Sequence, residues 1–522
     1  MASSLSNRTK ISAAPDGTLY PIPTESEQKT QFHRLAEKAG SHRKQGRQIV
    51  VVQGLGFVGS AVAAVIASAK DEAELPLYFV IGVDLPSPSG YWKVAKLNNG
   101  LAPMVSPDPE LPQLIREAVQ NTENLCATAS EEAYALADVI LIDIPLDVRN
   151  RLTEKAADIE IGLDSFAKAI RMVGRYMRAD ALVLIETTVP AGTSEKLALP
   201  VLREERELRG INDPIFLAHA YERVMPGPNY ISSIRGFWRT FSGIDQASAA
   251  RACDFLSSFI DTSSYPLWEL EDTNSSELAK LLENSYRAVN IAFIHEWTLL
   301  AESMGINLFA VINSIRVRQG THDNIRLPGF GVGGYCLTKD SLLAQWSAMN
   351  QADNEVLLGM TLEAMKINHQ MPLHTLDLLK EMAGDLSGKT ITVCGVAYLP
   401  EVADTRNSPT ELLADELSKA GAEVIVHDPC VITWVERPDI HVTQDLAACF
   451  THADGIVFAV PHRAYSSLSP EMICSSSFSS PVIVDAQNIV SDRKAKLLHD
   501  AGCRLLGVGK GHWRKRGYQC PK

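Results

Sequence analysis

Residues 48–84 constrain the fold more than any other stretch. The β-branched run QIVVVQ (48–53) enters GLGFVG (54–59), the Ala-rich stretch SAVAAVIASA follows, and LYFVIGVD ends at Asp84. An apolar strand, a glycine turn, a helix and a second apolar strand make a βαβ unit with a buried parallel sheet. Gly54, Gly56 and Gly59 stand in GxGxxG spacing. Gly54 permits the tight turn, Gly56 lets the backbone approach a pyrophosphate at the positive helix end, and Gly59 lets helix and strand pack closely. Asp84, at the end of the second strand, can accept from both ribose hydroxyls of an adenosine and would repel a 2′-phosphate; no arginine follows closely. The spacing predicts a dinucleotide site for NAD rather than NADP, built by Gly54, Gly56, Phe57, Val58, Gly59 and Asp84.

Further strands are expected at DVILIDIP (138–145) and ALVLIETTVP (181–190). A related pattern returns late in the chain: KTITVCGVAY enters a turn, SPTELLADELSKAG reads as a helix, and AEVIVHDP is a strand ending in Asp428. LADVILIDIP in the first half is answered by HADGIVFAVP in the second, and PVIVDAQN is a further strand. The order of elements predicts an α/β protein with two Rossmann-like, doubly wound parallel-sheet domains. The second turn, GVAYLPEVADTRNSP, lacks the glycine fingerprint, so a different ligand, another nucleotide, is expected there. Between the domains, 274–320 and 339–380 read as helices. SSELAKLLENSYRAVNIAFIHEWTLLAESMG runs about 30 residues before its glycine, the length of a helix that bridges domains or forms a dimer interface. Ser275 or Ser276 could cap it, and Gly305 suits its end. The expected layout is a flexible N-terminal arm over 1–45, a cofactor domain over 46–270, a central helical dimerisation region over 271–384 and a second Rossmann-like domain over 385–522.

Composition narrows the partners. The 522 residues carry a net charge of −13, which disfavours nucleic acid or an anionic membrane as main partner. The nine cysteines include no CxxC pair, so neither a disulfide framework nor a structural zinc site is expected, and a reducing compartment suits them. No apolar leader and no apolar run of about 18 residues is present. A soluble, cytoplasmic protein is expected.

One thiol stands apart. GFGVGGYCLTKD (329–340) places Cys336 after a glycine-rich backbone and before a predicted helix. Gly331, Gly333 and Gly334 would allow close ligand approach and unusual backbone angles. A helix N-terminus and Lys339 nearby favour the thiolate, and Asp340 lies one turn on. Cys394, inside ITVCG, reads instead as a buried hydrophobe. Lys280 and Asn284 stand at i, i+4 and share a helix face, able to aim two donors at one oxygen. Thr188 and Glu222 follow predicted strands, where ligands of an open α/β sheet sit.

Together GLGFVG, ETTVPAGT, ERVMPG, ELAKLLENSYRAVNIAFIHE, GFGVGGYCLTKD and DTRNSP resemble the nucleotide-sugar 6-dehydrogenases, the UDP-glucose/GDP-mannose dehydrogenase family, from about residue 48 to 510. The resemblance implies a four-electron, two-NAD oxidation of a UDP-hexose or UDP-N-acetylhexosamine C6 alcohol to a uronic acid for polysaccharide biosynthesis. Cys336 would form a thiohemiacetal and then a thioester. Lys280 and Asn284 match positions that stabilise the oxyanion, and Asp340 the carboxylate that supports thiol and water. Glu222 and Thr188 match residues that position water or act as base, Thr188 also lying at the cofactor. Glu222, Arg223, Lys280, Asn284, Gly333 and Arg406 are the implied substrate-binding residues. A homo-oligomer built from dimers is implied too, and no metal. The chain departs from the pattern at Leu399, where a lysine commonly meets the diphosphate, and Arg316, Arg318 and Arg326 compete for one arginine position. Two rival readings are a two-electron hydroxyacid dehydrogenase, which gives no reason for Cys336, and a non-catalytic binder of NAD or nucleotide sugar, which need not keep a nucleophile.

Overall fold

In the computed structural model the described residues are 10–104, 106–149, 158–224, 227–476 and 480–521. The chain divides into two compact units: residues up to Leu281 with Trp346–Glu355, and Leu282–Gln345 with Val356 onward. The division falls inside one helix, Thr273–Ser303, hereafter the central helix.

The first unit carries an eight-stranded sheet. After a hairpin of β1 (Ile11–Ala13) and β2 (Leu19–Pro21) come β3 (Gln48–Gln53), β4 (Tyr78–Val83), β5 (Leu125–Thr128) and β6 (Val139–Ile142). A short pair, β7 (Val148–Arg149) and β8 (Glu160–Ile161), lies outside the sheet. Then follow β9 (Leu182–Ile185), β10 (Phe216–Tyr221), β11 (Thr240–Gly243) and β12 (Trp268–Glu269). The order is β12-β11-β10-β9-β6-β3-β4-β5. All neighbours are parallel except β10 and β11, where Tyr221 pairs with Thr240. That reversal puts Glu222 and Arg239 at the same edge of the sheet. Successive side chains of β3 feed two different cores, Val50 and Val52 on one face, Ile49 and Val51 on the other. A strand buried on both faces has to be apolar throughout, which is why QIVVVQ shows no alternation.

The second unit holds β13 (Thr390–Cys394), β14 (Glu423–His427), β15 (Val442–Thr443), β16 (Gly455–Phe458), β17 (Val482–Asp485) and β18 (Arg504–Gly507), all parallel, in the order β15-β14-β13-β16-β17-β18. β13 therefore has its successors split to either side as β3 does. The weak internal likeness in sequence is a likeness of winding.

Two expectations need correction. Residues 10–44 are no loose arm. Beyond the hairpin, Glu25–Lys44 is a helix of 20 residues opened by a capping box of Thr24 and Glu27. Its polar surface hides a thin seam, Leu35 and Ala39, that joins the core beside Phe79 and Ile81. TESE was the signal for its start. The central helix begins at Thr273, and its cap is Asp272, whose Oδ1 accepts the Ser275 amide at 2.7 Å, rather than Ser275 or Ser276. Gly305 does close it, at φ +67°. The expected helical stretch 339–380 is two helices, Asp340–Asn350 and Gly359–Ala383. Among the described residues no helix is long and apolar enough to cross a membrane.

Candidate functional site

In the first unit the glycine loop joins β3 to the helix Phe57–Ala67. Gly54 has φ +98°, and a Cβ there would lie 2.1 Å from the Asp143 carbonyl oxygen. A Cβ on Gly59 would lie 2.0 Å from the Gly54 carbonyl oxygen. At Gly56 nothing stands within 4 Å of that position. Two glycines are thus demanded by the protein's own packing, and the third opens the backbone to a ligand at the helix end. The loop lies where the strand order reverses between β3 and β6, the switch point of an open sheet. Asp84 accepts the Leu55 amide at 3.1 Å, which ties it to the loop. It also meets Lys93 Nζ at 2.9 Å, a partner nine residues on that the sequence reading missed.

Carboxylates collect at the same edge. Glu222, after β10, is buried. Its backbone carbonyl accepts from Lys280 Nζ at 2.7 Å, and its carboxylate stands 3.6 Å from that ammonium. Glu186, after β9, is buried and accepts from Arg239 at 2.5 Å. Burial pushes its pKa up, opposed by Arg239 and assisted by Glu222. Asp143, after β6, is pushed well above the usual carboxylate range by burial first, then by Glu186 and Glu222. Thr188 sits half-buried in the loop after β9. The neighbouring Thr187 clamps β6 to β9, donating to the Ile142 and Ile144 carbonyls and accepting the Ile144 amide. Arg223 is turned to the Tyr221 hydroxyl (2.9 Å) and the Trp238 carbonyl. Glu277, three residues before Lys280, accepts from the Gly192 and Ser194 amides and the Ser194 hydroxyl, so the loop after Thr188 is bound to the central helix. Burial raises the Glu277 pKa to about 7 against those bonds. A cleft of about 780 Å³ at the opposite edge, among Arg47, Asp138, Asp180 and Asp254, faces the amino ends of the strands. Ligands of such sheets bind at the carboxyl ends.

In the second unit Cys336 is exposed, on the turn that enters the helix Asp340–Asn350. Its carbonyl accepts the Lys339 and Asp340 amides at 3.1 and 2.9 Å, so the thiol precedes the helix instead of belonging to it. Asp340 is fully buried; Asn284 Nδ2 donates to its Oδ2 at 2.6 Å, and Lys339 Nζ stands 3.3 Å from its Oδ1. Lys339 Nζ lies 4.5 Å above the Tyr335 ring. Arg406 lies 5.5 Å from the same ring and is paired with Asp404 at 2.6 Å. The glycines ahead of the thiol need another explanation than ligand approach. A Cβ at Gly331 would strike Pro409 at 2.6 Å, one at Gly333 would meet Tyr398 at 2.7 Å and the Asn407 carbonyl at 2.8 Å, and Gly334, at φ +83°, faces the Tyr398 ring at 2.7 Å. The bare backbone is packed against the turn after β13. Asn407 seals it by donating to the Gly334 carbonyl at 3.1 Å.

The same unit brings Asp428, Cys430 and His462 within 4.8 Å of one another. His462 Nδ1 accepts the Glu401 amide at 3.0 Å, so the neutral ring keeps its proton on Nε2, 3.3 Å from Asp428 Oδ2. The Asp428 oxygens accept four amides, of Val396, Ala397, Cys430 and Val431. A histidine ligand needs a bare nitrogen toward the metal, usually with its other nitrogen donating. This trio is a hydrogen-bonded anchor for the turn.

Three family descriptions cover most of the chain. The NAD-binding, central and UDP-binding domains of the UDP-glucose/GDP-mannose dehydrogenase family match residues 48–243, 274–370 and 392–492. The chain belongs to this family. UDP-N-acetyl-D-mannosamine dehydrogenase of Pyrococcus horikoshii is 30% identical over 471 residues, 88% of this chain and 99% of the relative. The solved structure of UDP-D-ManNAc dehydrogenase from that organism superposes with a TM-score of 0.75 at 29% identity, covering 89% of this chain and all of the other. An NDP-N-acetyl-D-galactosaminuronic acid dehydrogenase from Methanosarcina mazei gives 0.74 at 30% identity, covering 92% and 98%.

The dehydrogenase is thus an NAD-dependent oxidoreductase, as its motifs implied, and the glycine loop fits the cofactor. Lys93 alters one expectation about it. Asp84→Ala removes the ribose acceptor and releases a cation. NADH affinity should fall roughly 10–100-fold, the worth of bonds to a charged group, while NADPH affinity rises. Fluorescence titration with both reduced cofactors measures this, and an unchanged ratio would remove Asp84 from cofactor selection.

Proposed function

We propose that the dehydrogenase oxidises C6 of a UDP-activated N-acetylhexosamine to the uronic acid through a Cys336 thioester. The observation that carries this reading is an exposed thiol on the turn into a helix whose first residue, Asp340, is buried and held by Asn284 and Lys339. The names of the most similar relatives, which act on N-acetylated sugars, support the substrate class, and the UDP-binding domain supports the nucleotide. NAD, when bound, accepts hydride from C6.

The residues then divide the work. The C6 alcohol loses a proton and a hydride to give the aldehyde. Lys280 and Asn284 donate to the oxygen where negative charge gathers. The Cys336 thiolate adds to the aldehyde carbon, and the oxygen takes a proton, giving a thiohemiacetal. Loss of that proton and of a second hydride leaves the thioester. Water, positioned by Glu222 and Thr188, attacks the carbonyl carbon; the C–S bond breaks and the thiolate is restored. Asp340, on the first turn of the helix after Cys336, would support the thiol and the water. Overall, one alcohol, two NAD and one water give a carboxylate, two NADH and three protons. Arg406 would meet the substrate diphosphate, and Arg223 its sugar end. An NADH assay against UDP-ManNAc, UDP-GlcNAc, UDP-GalNAc and UDP-glucose tests this; two NADH per N-acetylated sugar is expected. One NADH per sugar, or turnover of hydroxyacids alone, would overturn it.

The enzyme acts as a homodimer on this reading. Along the central helix Leu278, Leu282, Tyr286, Phe293, Trp297 and Leu300 are each about half exposed, at 65% for Leu282. Steps of three, four and seven put them on one face, more apolar surface than a monomer normally leaves in water. Trp297→Glu should convert the protein to monomer in analytical ultracentrifugation; a monomeric wild type would refute the assignment. A cytoplasmic location accords with this activity.

A further inference from the structure

Asp143 has no role in the chemistry above, yet it stands at the cofactor loop. It follows β6 directly, at the switch point between β3 and β6. Its amide donates to the Gln53 carbonyl at 2.9 Å, and its own carbonyl fills the space beside Gly54. Its Oδ2 lies 2.8 Å from where a Gly59 Cβ would be, and Gly59 is the third residue of the helix Phe57–Ala67. The carboxyl is therefore lodged in the crook of the loop, against the first turn of the helix that receives a dinucleotide's pyrophosphate. It is half-buried and makes no hydrogen bond to any described residue.

An ionised carboxylate there would face the two negative charges of a pyrophosphate at short range in a poorly solvated crevice. A neutral carboxylic acid would not, and it has a proton to donate. The charged groups around it favour the neutral form. Glu186 faces it from β9 and Glu222 from β10, with Arg239 before β11 as the cation acting on it among the described residues, already bound to Glu186. Lys280, from the central helix, is engaged by Glu222.

We infer that Asp143 is a proton-linked contact of the cofactor: a neutral acid that admits the pyrophosphate and, once ionised, repels it. The sign follows from the neighbours. Burial and the two glutamates raise the pKa in the protein, so the admitting form persists from acid through neutrality and is lost as pH rises through that raised value. NADH affinity should be level at low pH and then weaken toward tenfold per pH unit, the limit for one proton.

The test is NADH fluorescence titration of the full-length wild type and of Asp143→Asn from pH 6 to 9.5, with ADP-ribose as competitor. Asparagine keeps shape and donor but cannot ionise. Expected is a pH-dependent loss of affinity in the wild type and a flat profile in Asp143→Asn, with ADP-ribose following NADH because it carries the pyrophosphate without the nicotinamide. Thermal unfolding verifies that the variant is folded, and Asp143→Ser provides a second non-ionising side chain. A flat wild-type profile, parallel slopes in wild type and variants, or ADP-ribose binding that ignores pH while NADH binding does not, would each overturn the inference.

Discussion

Replacing Cys336 by serine or alanine is expected to abolish uronate release while NAD binding persists. Alanine offers no nucleophile, so the reaction ends at the aldehyde with one NADH at most. Serine can add to the aldehyde, yet an alkoxide is scarce at neutral pH, and an ester is a poorer acyl donor to water than a thioester. A loss of at least ~10³-fold in kcat for acid formation follows from removing a covalent nucleophile. The measurements are NADH stoichiometry in a single turnover and mass spectrometry of the trapped enzyme. A mass increase of one sugar nucleotide on Cys336→Ser and none on Cys336→Ala is the expected pair. Wild-type rates of acid release from Cys336→Ala would end the thioester reading, though the cofactor site would stand. The fold should tolerate both changes, since the side chain is exposed.

The second large effect is expected at Lys280. Lys280→Met keeps the length of the stem and removes the ammonium. An oxyanion donor of this kind is worth roughly 10²–10³-fold in kcat, and the effect should fall on kcat for both oxidation steps. Stability suffers as well. The Glu222 carbonyl and carboxylate lose a partner inside the protein, where an orphaned acceptor costs about 1–3 kcal/mol. Lys280→Arg separates the two effects: it can still pair with Glu222 and restore the melting temperature, but a planar fork does not reproduce a point donor. A variant that regains stability without regaining kcat is expected. Full activity in Lys280→Met would show that the ammonium serves Glu222 alone.

The dinucleotide loop was legible because each of its needs is local: an apolar run, glycines at fixed offsets, an acid at the end of the next strand. The long central helix was legible from thirty residues without a breaker. Its cap was misjudged because Asp272 and Ser275 both cap well, and only the backbone path selects one. The N-terminal helix was missed because its buried seam is too thin to show as periodicity in a polar segment. Cys336, Lys280, Asn284 and Asp340 were singled out through motif spacing, but the partners their side chains take were not. Asn284 donates to Asp340 across 56 residues of chain, and Lys93 occupies Asp84.

The order of amino acids by itself determined the family, two doubly wound sheets and the cofactor, because strand burial, helix continuity and glycine turns depend on neighbours within a few residues. Only the tertiary structure decided why the glycines before Cys336 are bare: they make room for Tyr398 and Asn407. It alone gathered Asp143, Glu186, Glu222 and Arg239 at one sheet edge. Charges brought together from four separate strand ends act through space on the protonation of Asp143 and Glu186, and no spacing along the chain encodes that distance.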